Sequence, residues 1–456
     1  MEIAADVAVI GGGMAGLVAG TVASQAGLSV VVLSRGHGAT ADCSGAIDVI
    51  GYLPLATTPT VSAIEGLHLL AALHVLHPYS ILGLERESLV VDGDVVVKRV
   101  QETIEWFLST VAESELRHVG SLDSTIMACS PLGTLKPTAL LQQTMWSDSL
   151  MDEDNVVMFA GIRGYPDFHS GMAAKTFLEE RQALREGPRR VINCTVDLSN
   201  LLPVSNLSAI ELARLFDTEE GLRHLAESLQ SHVEGTGASH VVLPPVLGLE
   251  HAATARSELE SRLGAEVIET ISFPPSIPGT RLQAALEAAL ERAGGRLLKG
   301  HEVVGTETSK DRVTGIKARG PRRSVSVTAK SYVLATGKFV GGGLAGDERG
   351  LRETVFGLQV FDGDRMSVTE TRPQKLTDLT WVTERGHRLY TCGIGVDEHL
   401  RPVGLDGRVY AANLFGAGAV LAGYNYITEK SGLGVAIATG HAAAIEAVNF
   451  ATEAKS

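Results

Sequence analysis

Val7-Ala8-Val9-Ile10-Gly11-Gly12-Gly13-Met14-Ala15-Gly16-Leu17 stands near the start of a chain of 456 residues, and the rest is read from it. Val7 to Ile10 is an apolar run that spells a short buried parallel strand. Gly11, Gly13 and Gly16 follow as G-x-G-x-x-G, and Leu17 to Gln25 reads as a helix with Ala19 and Ala23 on one side. Gly27 breaks the helix and Val30 to Leu33 gives a second buried strand. Strand, glycine turn, helix and strand in this order form the βαβ unit that cradles a dinucleotide pyrophosphate. The first glycine makes the turn, the second lets backbone approach phosphate, and the third lets helix and strand pack closely. Phosphate then sits at the helix N-terminus, among Gly13, Met14 and Ala15, where free N–H groups and the helix dipole favour negative charge. One position departs from the pattern. An acidic residue normally ends the second strand and holds the adenosine ribose; here Ser34 and Arg35 stand there. A classical NAD site is disfavoured, and the usual grip on the adenosine half of FAD is missing.

Length and composition bound the alternatives. The chain is long enough for two or three domains. Its net charge of −14, from 39 basic and 53 acidic residues, argues against a nucleic-acid partner. Cys43, Cys129, Cys194 and Cys392 lie far apart, without the spacing of a metal or iron–sulfur site, and read as reduced thiols. Val7 to Ser34 is free of charge for 28 residues, the length of a membrane span. Its glycines and its βαβ pattern argue for a soluble fold instead. The first residues lack the basic region and cleavage site of a secretion signal, so the expectation is a chain facing the cytoplasm.

Further along, Gly36 to Asp48 is small and polar and predicts a loop bending over the nucleotide site, with Ser44 and Gly45 against the ligand. Residues 61–76 and 98–118 show helical spacing, with Val95-Val96-Val97 as a short strand between them. Residues 119–270 read as a separate unit. It carries the turn-rich loop Ser130–Thr138, a strand over 156–160, the loop Gly161–His169, and amphipathic helices over 206–230 and 249–263. After Pro274-Pro275, residues 281–293 predict a helix, 296–304 a strand, 313–318 and 324–328 a hairpin, and 331–337 an apolar strand ending in Ala335-Thr336-Gly337. Asn413 to Ala419 is a strand running into a glycine turn, and Ser431 to Gly440, with Gly432-Leu433-Gly434, opens a helix of small residues. A helix N-terminus of this kind suits the pyrimidine edge of a flavin, where its dipole stabilises negative charge on the reduced ring. The architecture expected is α/β. A Rossmann-like flavin-binding domain in two parts, 1–118 and 271–456, is interrupted by an α+β substrate or cap domain at 119–270. The cofactor-binding set is Gly11, Gly13, Met14, Ala15, Gly16, Ser34, Arg35, Ser44, Gly45, Thr336, Gly337, Gly418, Gly432, Leu433 and Gly434.

Several segments together resemble the B subunit of anaerobic glycerol-3-phosphate dehydrogenase: Ile10 to Leu17, Ser44 to Asp48, Pro131 to Thr138, Pro274 to Gly279, and Asn413 to Gly423. The likeness runs over nearly the whole chain. It implies oxidation of sn-glycerol 3-phosphate to dihydroxyacetone phosphate with electrons passed to quinone. It also implies FMN as the flavin, with FAD the alternative. Two partners are implied as well: a larger FAD-containing A subunit, and an iron–sulfur C subunit that anchors the complex at the inner face of the membrane. The absent ribose-binding acid suits FMN; the pyrophosphate-type glycine turn suits FAD. Such chemistry asks for a base at the C2 hydroxyl, cations for the phosphate, and exclusion of water. Lys136, Arg163, His169 and His387 are the candidate catalytic residues, with Arg281 a further cation. No metal site is expected. Two other readings stay open: a stand-alone flavoenzyme of the fumarate-reductase type, although no cluster of arginines and histidines is visible, and a scaffold protein without turnover.

Overall fold

The chain, seen here in a computed structural model, is described over residues 1–85, 90–188, 190–202, 205–380, 383 and 386–453. β1 (Glu2–Ile10) and β2 (Val30–Ser34) pair in parallel and are joined by α1 (Met14–Gln25). They sit inside a seven-stranded sheet. Its order is Arg296–Lys299, β2, β1, Ser324–Leu334, Arg312–Arg319 and Glu302–Ser309, and Leu414–Gly416 pairs with the end of Ser324–Leu334. The first four strands and Leu414–Gly416 are parallel; the last two add an antiparallel hairpin. Strands covered on both faces must be apolar throughout, and Val7, Ala8, Val9, Val32, Val333 and Leu334 are fully buried.

A second sheet holds Arg190–Val196, Val156–Ile162, His240–Leu243 and Glu266–Glu269, all parallel, with helices as crossovers. It has its own apolar core around Phe159, Phe177, Leu212, Phe216 and Leu259. Between the sheets lie two antiparallel pairs, His118–Gly120 with Leu140–Gln142 and Ile126–Cys129 with Leu135–Thr138. The segment read as α+β therefore combines antiparallel ladders with a parallel sheet. A smaller core of Leu344, Leu351, Val360, Val368, Leu376 and Cys392 lies under the loops that follow Ser324–Leu334.

Several boundaries differ from expectation. Val95, Val96 and Val97 are not a strand but belong to the helix Gly93–Ala112. The Asp92 side chain accepts from the N–H groups of Asp94 and Val95, and Val96, Val100, Ile104, Phe107 and Val111 make one buried face. Helical periodicity and a cap outweigh the strand preference of three valines. The stretch 206–230 is two helices, Ala209–Phe216 and Glu219–Thr236, because Thr218 starts the second by accepting from Gly221 N–H. The helix expected at 281 begins at Ile277, where Ser276 accepts from Gly279 N–H and Pro278 sits in a first turn that needs no N–H from it. Gly300, at φ +70°, splits 296–304 into two strands, while 324–328 and 331–334 are one. Ala335, Thr336 and Gly337 lie just beyond that strand.

Among the described residues one helix, Gly432–Glu453, is long and apolar enough to cross a membrane. In the fold it is a core helix packed on α1: a Cβ on Gly440 would lie 2.6 Å from the Ala15 carbonyl oxygen.

Candidate flavin site

The glycine loop is held by neighbours that leave no room for a side chain at Gly11, Gly12 or Gly16; at Gly12 a Cβ would lie 2.6 Å from Ser34 Cβ. Gly11 has φ +121°, and a Cβ there would lie 2.1 Å from the Ala335 carbonyl oxygen. A Cβ on Gly16 would lie 1.9 Å from the Gly11 carbonyl oxygen. Gly13 differs. Its backbone is extended, and a Cβ would meet only Thr40 Oγ1 at 3.5 Å and Gly38 at 4.0 Å, ordinary contacts. Nothing in the chain itself demands glycine there. Met14 N–H donates to Thr40 Oγ1 at 2.7 Å, which pins the loop after β2 onto the start of α1.

Other expected cofactor residues gather round this turn. Ala335 touches Gly11, and Thr336 and Gly337 continue from it. Gly418 packs on Ala15, and its N–H donates to Thr439 Oγ1 at 2.8 Å. Gly432, Leu433 and Gly434 form the first turn of the last helix, and Gly434 N–H donates to the Asp48 carbonyl at 3.1 Å. The Ser44–Asp48 loop is thereby tied to that helix. Ser44 also accepts from Ser272 N–H at 2.9 Å, and Gly45 is packed beside Met145 and Pro278. Ser34 is buried and donates to the Gly36 carbonyl, while Arg35 pairs loosely with Glu302 at 3.7 Å and lies against Gly342.

The candidate catalytic residues divide. Lys136 reaches this region: its ammonium meets Asp48 Oδ2 at 2.5 Å, and Lys430 stands close enough that the two amines repel. Burial first, and then Lys136, hold Lys430 below the usual lysine range. Burial pushes the nearby Cys43 thiol up to about 11, so it is protonated at neutral pH. Arg163 lies on the second sheet in an exposed pair with Asp197 at 3.0 Å. His169 is exposed and caps the helix Ser170–Leu184, its Nδ1 accepting from Met172 N–H. His387 accepts from Asp378 N–H and lies 6.0 Å, centroid to centroid, from the Tyr390 ring. Arg281 is buried in a bidentate pair with Glu269 at 2.7 and 3.0 Å, and its Nε donates to the Gly248 carbonyl. That is structural work, and it corrects the reading of Arg281 as a cation for substrate. All four cysteines are unpaired thiols.

Sequence reasoning passed over a buried group beside this site. Lys338 directly follows Gly337, and its ammonium lies over the rings of Tyr424 and Tyr426. Next to them His77 Nε2 meets Glu429 Oε2 at 3.1 Å. Burial works to raise the Glu429 carboxyl, but bonds from His77, Asn425 and Ser431 bring it below its ordinary range. The available signal was one charge, Lys338, inside the otherwise uncharged stretch Ser331–Gly346.

Residues 6–435 match the family described as FAD binding domain. The chain is 31% identical over 455 residues to the B subunit of the probable anaerobic glycerol-3-phosphate dehydrogenase of Halobacterium salinarum, covering 97% of each. It is 30% identical over 441 residues to the corresponding B subunit of Vibrio cholerae, covering 96% of this chain and 94% of that one. The chain belongs to the B-subunit family of anaerobic glycerol-3-phosphate dehydrogenases. A solved structure, the 3-ketosteroid delta1-dehydrogenase of Sterolibacterium denitrificans, is similar at 13% identity and a TM-score of 0.44, over 98% of this chain and 99% of that one.

The residues present fit the flavin that this family membership implies. Gln283 reaches from the helix Ile277–Arg292 to donate to the Gly12 carbonyl at 2.9 Å, yet its Oε1 is buried without a partner. Thr336 Oγ1, beside the glycine loop, and Asp48 Oδ1, beside the last helix, are likewise buried and unpartnered. Orphaned acceptors are costly in an apo fold, and a ligand with ribityl hydroxyls and ring N–H groups answers them.

Proposed function

We propose that this chain is the flavin-holding B subunit of a membrane-associated complex that oxidises sn-glycerol 3-phosphate to dihydroxyacetone phosphate and passes the electrons on to quinone. The observation that carries this reading is Gly13. It is a glycine that the fold does not need, at the point where helix N-terminus and phosphate would meet. The names of its relatives supply the substrate and the existence of partner subunits. The partners proposed are a catalytic, FAD-containing A subunit and a membrane-anchoring, iron–sulfur C subunit. Through them the chain sits at the inner face of the membrane. Residues 1–118 and 271–456 are taken as the two flavin-binding parts and 119–270 as the insertion.

FAD is the cofactor proposed, in place of the FMN expected from the resemblance. The match to the FAD-binding family runs across both parts of the fold, and it agrees with a glycine turn built for a pyrophosphate. The α1 N-terminus would hold the phosphates, and the first turn of the last helix would face the ring. When bound, the flavin supplies a two-electron acceptor. Lys136, beside Asp48, is the cation proposed for the substrate phosphate, and His387 the residue proposed to take the hydroxyl proton.

One observation favours a second reading. Arg163, His169 and Arg281 all serve local contacts, so the cations that a phosphate dianion asks for are few. Under that reading the catalytic partner oxidises the alcohol and this chain relays electrons. Anaerobic addition of glycerol 3-phosphate decides the matter. Bleaching of the flavin in the isolated chain places oxidation here, and bleaching only with partner subunits present makes the chain a relay. Absence of bleaching in both preparations contradicts the proposed function.

A further inference from the structure

Lys338 is 3% exposed, and its ammonium sits in a cage of carbonyls and aromatic rings. It donates to the Tyr390 carbonyl at 2.5 Å and to the Tyr424 carbonyl at 3.5 Å. It stands 4.7 Å from the centre of the Tyr424 ring and 5.7 Å from that of Tyr426. Among the described residues no carboxylate comes within ion-pair distance of it. Carbonyl dipoles and aromatic faces stabilise a cation, but they replace only part of its hydration. A methionine or leucine would fill the same space without that cost, so the amine calls for an explanation other than packing.

Its position supplies one. On one side Lys338 follows two residues after Thr336, whose N atom would lie 3.1 Å from a Cβ on Gly11. On the other, the caging Tyr426 packs on Gly432, the first residue of the last helix, where a Cβ would stand 3.2 Å from Tyr426 Cβ. Lys338 thus joins the segment that runs on from Thr336 to the start of the last helix, the two that flank the flavin if the reading of the site given above holds. We infer that Lys338 is a proton-linked positive charge that raises the reduction potential of the bound flavin, adding to the dipole of the last helix. Two electrons enter the cofactor from the donor, and reduction draws a proton from solvent onto the Lys338 amine wherever that amine was neutral.

The neighbours leave Lys338 as the group able to respond. Burial lowers its amine to about 7, against the opposing pull of the Glu429 carboxylate. Burial also pushes Cys392 and Tyr426 up to about 12, and Tyr424 higher still, so these stay neutral between pH 6 and 9. Glu429 lies below its ordinary range and stays charged. Asp362, paired with Arg388, is the acid behind Cys392. His77 and His387 face the cage through Glu429 and Tyr390, and both are common to the parent and to a Lys338 variant.

The test is the two-electron potential of the flavin in the purified holoprotein, measured from pH 5.5 to 9 for the parent and Lys338→Met. At low pH the parent amine is charged. Lys338→Met should then lie below the parent by about tenfold in the reduction equilibrium, or ~30 mV for a two-electron couple. At pH 9 the parent amine is neutral and the two curves should merge. Curves for parent and Lys338→Met that coincide at every pH, or a gap that persists unchanged to pH 9, overturn the inference. If Lys338→Met does not fold, lysine Cε resonances of the parent decide: the Lys338 titration should move upward on flavin reduction, and an unmoved titration overturns the inference. Flavin occupancy is read first. A chain that binds no flavin overturns both this inference and the function proposed above, whereas a full complement with coincident curves overturns this inference alone.

Discussion

Gly11 and Gly13 are two residues apart in one motif, and different things keep them glycine. At Gly11 the chain itself forbids a side chain, through φ +121° and an Ala335 carbonyl oxygen 2.1 Å from where a Cβ would stand. Gly11→Ala should therefore destabilise the fold by at least about 3 kcal/mol, seen as a fall in thermal midpoint with or without cofactor. At Gly13 the chain leaves room, and its extended backbone is one that valine adopts readily. Gly13→Val should fold with a stability within about 1 kcal/mol of the parent apoprotein, yet retain no flavin. Normal flavin content in that variant would show that phosphate does not approach there. The glycine spacing was legible in the sequence because a close backbone approach has no other solution. What each glycine answers to was not, since that depends on Ala335 and Thr40, brought in from elsewhere in the chain. Arg281 was misread for the same reason: its partner Glu269 reaches it across the start of a helix, where the sequence shows no pattern.

At the level of elements, periodicity and caps carried most of the reading. The βαβ unit, the strand before Ala335 and the last helix stand where their apolar runs predicted. The failures came where a local preference met a longer pattern. Val95 to Val97 is β-branched and reads as a strand, but the buried face from Val96 to Val111 makes it helix. Joins between elements were also hidden, and Asp6 is the clearest case. On β1, it accepts from Lys330 Nζ at 2.6 Å on the neighbouring strand, and from Ser29 N and Oγ at 3.0 and 2.8 Å before β2. The Lys330 bond first, and then those of Ser29, hold its carboxyl well below the usual carboxylate range. A group depressed in the folded state stabilises above its unfolded value near 3.9, and that contribution is lost as pH falls toward the folded value. Asp6→Asn should cost about 1–2 kcal/mol at pH 7. Thermal midpoints of parent and variant should converge as the pH is taken below about 4. A gap that widens on acidification would show that the pair does not act in this way.

On the scale of the whole molecule, the two sheets, the antiparallel pairs between them and the last helix bring one set of loops together from distant parts of the chain. Ser44 to Asp48 is bonded there to Lys136 and to Gly434, Thr336 lies against Gly11, and Lys338 meets Tyr426, which packs on Gly432. Arg163 and His169 stay with the second sheet. Which distant cations would meet could not be read from sequence, because the register of that sheet against the glycine loops leaves no periodic trace. The central claim is that these loops hold a flavin, with FAD the form proposed. The most direct measurement is to purify the chain, record its visible spectrum, release the cofactor by heat and identify it by chromatography and mass. The account predicts flavin bands near ~450 nm and about one FAD per chain. FMN in that amount would correct the cofactor and leave the site standing. A colourless chain that takes up neither FAD nor FMN on titration would contradict the account.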